Sequence, residues 1–82
     1  LVVPKGEYVN YTDFMENAPD SLKFGFLKAV NEVANNLLLH ETGFRLITNQ
    51  GKDANQTVPH FHIHILGGGP LGPLLAGDPL HR

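Results

Sequence analysis

The sequence has no cysteine, no tryptophan and one methionine. Without thiols, neither a disulfide scaffold nor a thiolate metal site can form. Charge is sparse and balanced: six Lys and Arg face eight Asp and Glu, for a net charge of −2. That cannot make the broad basic face a nucleic acid polymer requires. No apolar run is long enough to span a bilayer, and no signal-peptide pattern opens the chain, so a membrane partner is not expected and the cytoplasm is the default location. No internal repeat is visible. What remains is a hydrophobic content of 41% in 82 residues, enough for one small globular domain. The chain begins without methionine, straight into "LVVPKGEY". That opening reads as the end of a strand, so the polypeptide is expected to be the C-terminal portion of something longer.

Along the chain, Leu1 to Val3 form a strand stub ended by Pro4. A brief helical turn through "DFMEN" is expected to be capped by Thr12 or Asp13, with Glu16 completing a capping box with Asp13. The main helix is expected over about 21–41. Asp20 or Ser21 is its candidate N-cap, Leu22, Phe26, Val30, Val33 and Leu37 form one face, and Gly43 serves as the stop. Strands are expected at about 44–49 and 58–66, antiparallel because a short polar loop joins them. The tail over 70–82 is rich in proline and glycine and reads as an irregular arm. The fold class is therefore α+β, an antiparallel sheet with one long helix packed on it.

The informative stretch is "TVPHFHIHILGGG", residues 57–69, which holds three of the five histidines at alternate positions. Side chains alternate faces along a strand, so His60, His62 and His64 share one face, and Phe61, Ile63 and Ile65 share the core face. At roughly 3.3 Å per residue, neighbouring histidines stand about 6.6 Å apart and the outer pair about 13 Å. Two such rings could lean together on a metal at about 2.0–2.1 Å. Three on a straight strand need a bend or a further ligand from elsewhere. A row of imidazoles suits phosphoryl or nucleotidyl transfer better, because neutral imidazole is a competent nucleophile and neighbouring ring N–H groups stabilise phosphate charge. A purely structural polar ladder is the alternative, at the cost of satisfying three imidazoles.

This pattern resembles the signature of the histidine triad (HIT) family, in which histidines alternate with apolar residues. It reads here His60-Phe61-His62-Ile63-His64-Ile65-Leu66. Upstream, Asn49-Gln50-Gly51 and Asn55-Gln56-Thr57-Val58-Pro59-His60 resemble the Hint-like branch, and "LGPLL" resembles its bacterial members. The resemblance implies a HIT-like fold and places residues 1–82 as the C-terminal portion of a single HIT domain. It also implies a metal-independent, cofactor-free hydrolase of purine nucleotides or nucleoside phosphoramidates, working as a homodimer. His62 would be the nucleophile, His60 would buttress it, and His64 would donate to a phosphate oxygen or the bridging atom. Asn49 would lie beside the phosphate, Thr57 would stand where the family has a serine near the leaving group, and backbone N–H groups from Gln56 to Val58 would contact phosphate. A nucleotide-binding or protein-interaction module with little turnover is the alternative. Three departures stand out. The family's N-terminal hairpin, small helix, acidic ribose contact and fourth histidine are missing here; Gly69 stands where an arginine is common; and the Trp-containing tail of many eukaryotic members is absent. His40, His81 and Lys5 receive no role.

Overall fold

A computed structural model describes residues 1–73. Two helices, α1 (Tyr11–Asn17) and α2 (Asp20–Asn36), precede two strands, β1 (Phe44–Ile47) and β2 (His64–Gly67). The strands pair antiparallel in the register Phe44–Gly67, Arg45–Leu66, Leu46–Ile65 and Ile47–His64. On the opposite side of the β2 line, Val2 bridges Ile63, with Val2 N–H donating to Ile63 O at 2.8 Å and Ile63 N–H to Val2 O at 3.0 Å. The architecture is α+β, with the core between the helices and the apolar side of the 61–65 line. Among the described residues, no helix is long and apolar enough to cross a membrane.

The core is largely aromatic. Phe14, Phe26 and Phe61 are buried and meet pairwise at centroid separations of 4.9–5.4 Å, with Ala18, Val30 and Ile63 filling the spaces between them. Phe61 and Ile63 reach this core by strand alternation, which sends His60, His62 and His64 to the other side. Helix α2 buries Phe26, Val30 and Ala34, a straight i+4 row continuing from half-buried Leu22. Val33 and Leu37, expected on that face, are 37% and 62% exposed, because small Ala34 occupies the position closest to the core.

The helix boundaries differ from the expectation in instructive ways. For α1, the Asn10 side chain accepts from Asp13 N–H at 2.8 Å, and the Asp13 carboxylate accepts from Val9 N–H at 2.9 Å. This is a reciprocal cap set by Asn10, not by Thr12 or Asp13 with Glu16. Pro19, not Asp20 or Ser21, is the N-cap of α2, and its carbonyl accepts from Leu22 and Lys23 N–H. The helix ends at Asn36, five residues before the expected 41. Leu39 N–H donates to Ala34 O and Leu38 N–H to Asn35 O, both at 2.9 Å, the paired bonds of a Schellman stop. Leu38 takes the left-handed position with φ of 60°, the role expected of Gly43. Turns then carry the chain to β1.

The strands are also shorter than expected. β1 ends at Ile47 instead of 49, and β2 begins at His64 instead of 58. Pro59 has no N–H to give, and His60 N–H turns back to Val58 O at 2.8 Å, so the chain kinks before the histidines. Phe61 N–H then donates to Tyr8 O, and pairing passes to the N-terminal segment. Gly67 ends β2 in a tight place. A Cβ there would stand 2.9 Å from Leu39 Cδ2 and 3.2 Å from Gly43 O. Part of the irregular arm expected over 70–82 lies outside the described residues, which end at 73.

Candidate active site

The histidine face opens into a cleft of about 300 Å³ lined by His60, His62 and His64. Asn49, Gln56, Thr57 and Val58 line the same cleft, so every residue singled out from the sequence converges on one space. The strand face explains why. Extending the β1–β2 register by two residues sets Asn49 across from His62, and extending the Val2–Ile63 pairing sets Val3 beside His62 and Leu1 beside His64. Leu1, Val3 and Asn55 also line the cleft and were not foreseen. Asn55 holds a φ of 58° in the loop, a conformation Asn tolerates better than most residues, and it stands within the upstream motif, which is the signal that could have marked it.

All three imidazoles are half-buried. His62 Nδ1 lies 2.8 Å from His60 O. A carbonyl oxygen only accepts, so Nδ1 carries the proton and the Nε2 lone pair of the neutral ring is left free. His60 Nδ1 lies 3.1 Å from Phe61 O and is assigned the same tautomer by the same reasoning. The His62 and His64 rings meet edge to face, with centroids 4.9 Å apart and planes at 78°. That is closer than the straight-strand spacing, because the two rings lean toward each other. The His60 carbonyl is the hydrogen-bond partner that fixes the His62 ring. Among the described residues, no group of three His, Cys, Asp or Glu side chains is arranged to hold a metal ion.

The loop before the histidines is tied by two glutamines to the start of α1 and to Val9 ahead of it. Gln56 Nε2 donates to Val9 O at 2.6 Å and to Val58 O at 3.0 Å, and its Oε1 accepts from Gly51 N–H at 3.0 Å. Gln56 N–H donates to Gly51 O at 3.0 Å. The backbone N–H of Gln56, expected to meet phosphate, is therefore committed to the shape of the loop. Gln50 Oε1 accepts from Thr12 N–H at 2.8 Å, satisfying one of the orphan donors at the start of α1. A larger apolar hollow of about 390 Å³ lies between α1 and α2, against Phe14, Phe24 and Leu27, and contains no histidine. The convergent polar groups mark the smaller cleft as the site.

Comparison with known proteins identifies the family. The HIT domain family model matches residues 1–71. A HIT-like protein of Azospirillum brasilense is 47% identical over 75 residues, covering 92% of this chain and 62% of its own length. A solved HIT family hydrolase from Clostridium thermocellum superposes with a TM-score of 0.68 at 40% identity, over 87% of this chain and 61% of that one. The purine nucleoside phosphoramidase of Escherichia coli is 56% identical over 36 residues, 44% of this chain and 30% of the enzyme. The chain spans about three fifths of the length of the relatives it matches over most of its own extent.

Proposed function

This chain belongs to the HIT domain family, and on that premise we propose that its histidine strand transfers a nucleotidyl group to water by way of His62. The substrate class is a purine nucleoside phosphoramidate or a related nucleotide conjugate. The Nε2 lone pair of His62 attacks the α-phosphorus, and the P–N bond breaks with its electron pair going to the departing nitrogen, which takes up a proton. Water then attacks the nucleotidyl-histidine, the P–Nε2 bond breaks with its pair returning to the ring, and the water proton is released. The hydrogen bond from Nδ1 to His60 O, at 2.8 Å, carries this reading. It selects the nucleophilic tautomer in the ground state and stabilises the positive ring of the intermediate.

His64, edge-on to His62, donates to a non-bridging oxygen or to the departing group. Asn49 and the Thr57 hydroxyl bind phosphate from the two flanks, with backbone N–H groups of Thr57 and Val58 in support. The short match to a purine nucleoside phosphoramidase supports the choice of substrate class. The protein is read as acting in the cytoplasm as a homodimer. Phe24 and Leu27, 67% and 58% exposed on α2, support the self-association.

Incubating the full-length protein with adenosine 5′-phosphoramidate and quenching early should trap one nucleotide, mapped to His62 by peptide mass. His62→Ala should remove the adduct and lower turnover by at least about a thousandfold. Bound nucleotide with neither adduct nor hydrolysis would establish a binding module instead. Activity lost together with a metal on chelation would point to metal chemistry.

A further inference from the structure

Among the described residues, two that are not glycine take a left-handed backbone, Leu38 with φ of 60° and Asn55 with φ of 58°. The first is accounted for by the stop of α2; the second ends no helix. Asn55 is exposed, so no packing keeps it there, and glycine would take the same conformation without strain. Left-handed positions held by other residues gather at binding and catalytic sites.

The loop keeps this conformation through its own hydrogen bonds. Asn55 N–H donates to Lys52 O and Gln56 N–H to Gly51 O, both at 3.0 Å, and Gly51 N–H closes onto Gln56 Oε1. Asn55, Gln56 and Thr57 thereby form a polar rim on the histidine cleft, shared with a wider hollow of about 620 Å³. Of the three side chains, Gln56 is spent on Val9, Val58 and Gly51. Among the described residues, the hydrogen bond that Asn55 makes is that of its backbone N–H. Its carboxamide, with two N–H donors, is left for a ligand.

The charge of the cleft sets the value of such a donor. Its described lining includes no Lys, Arg, Asp or Glu, so a phosphate entering it is held by neutral imidazole, hydroxyl and amide groups. Each such bond has one charged partner and is roughly twice as strong as a neutral pair.

We propose that Asn55 is a further phosphate-binding residue, its Nδ2 donating to a non-bridging oxygen of the α-phosphate from the loop side of the cleft. The left-handed backbone is what carries the carboxamide over the rim. The inference rests on the nucleotidyl-transfer reading for the identity of the anion; Asn55 itself makes and breaks no bond to phosphorus.

The test measures the affinity of the full-length protein for AMP and for adenosine by titration calorimetry, beside Asn55→Gly and Asn55→Asp. Glycine keeps the backbone and removes the carboxamide. Aspartate keeps the shape and the left-handed tolerance but puts an anion where the donor was. Asn55→Gly should weaken AMP about three- to thirtyfold and Asn55→Asp at least as much, while adenosine binds all three proteins within about twofold. Unchanged AMP affinity in Asn55→Gly overturns the inference. So does an equal loss of AMP and adenosine, which would mean that Asn55 only holds the loop. If the full-length protein takes no nucleotide onto His62 from adenosine 5′-phosphoramidate, the transfer reading falls, and the comparison of AMP with adenosine still decides whether Asn55 binds phosphate.

Discussion

Replacing Phe61 by leucine tests whether the core face of the histidine strand is held as described. Phe61 is 2% exposed. Its ring lies 4.9 Å from Phe14 with planes at 29°, 5.4 Å from Phe26 and 6.1 Å from Tyr11. A roughly volume-conserving apolar swap costs below about 1.5 kcal/mol. Losing favourable ring geometry adds about 0.5–1.5 kcal/mol per pair, and the pairs share one ring, so their costs do not simply sum. The expected loss is about 1.5–3 kcal/mol.

At roughly 0.05–0.15 kcal/mol per residue, the 82 residues here correspond to about 4–12 kcal/mol, so the leucine variant should still fold. Phe61→Ala, at about 3–5 kcal/mol, could consume most of that and is the poorer probe. Urea unfolding followed by far-UV circular dichroism suits a chain without tryptophan. With an m-value on the order of 1 kcal/mol/M, the midpoint should drop by about 1.5–3 M. Leu37→Ala, at a position 62% exposed, serves as the reference and should cost about 0.5 kcal/mol or less. If Phe61→Leu costs no more than Leu37→Ala, the aromatic core does not anchor the strand and the reasoning fails.

Two further substitutions probe α2 and should stabilise it. Gly25 lies inside the helix with nothing within 4 Å of an added Cβ, so Gly25→Ala should gain about 0.5–1 kcal/mol in the same unfolding experiment. A loss there would mean that something packs on that face. Leu38 holds a φ of 60° while 66% exposed, so Leu38→Gly relieves a left-handed strain of about 1–2 kcal/mol and gives up little buried surface. A rise in melting temperature is expected, and a fall would refute the Schellman assignment.

The features legible in the sequence were those with local causes. The two-residue period placed Phe61 and Ile63 in the core and the histidines opposite them, because strand alternation needs no knowledge of the partner. The four-residue spacing of Leu22, Phe26 and Val30 located α2 for the same reason. Non-local features were not legible. β2 starts at His64 because residues 61–63 pair with Tyr8 and Val2 from the far end of the chain. A leucine in the left-handed stop position carries no compositional signal, so the end of α2 was misplaced. The residues that line the histidine cleft were named from the alternating histidines and from the family resemblance. The double engagement of Gln56 depends on a contact 47 residues away, and no local pattern encodes it.

The decisive measurement is the tautomer of His62, read from long-range proton–nitrogen correlations of the ring with the histidine neutral. A proton on Nδ1 and an unprotonated Nε2, unchanged on mutating the His60 ring to alanine because the carbonyl remains, is the predicted result. A proton on Nε2 would leave no lone pair aimed at phosphorus and would contradict the account.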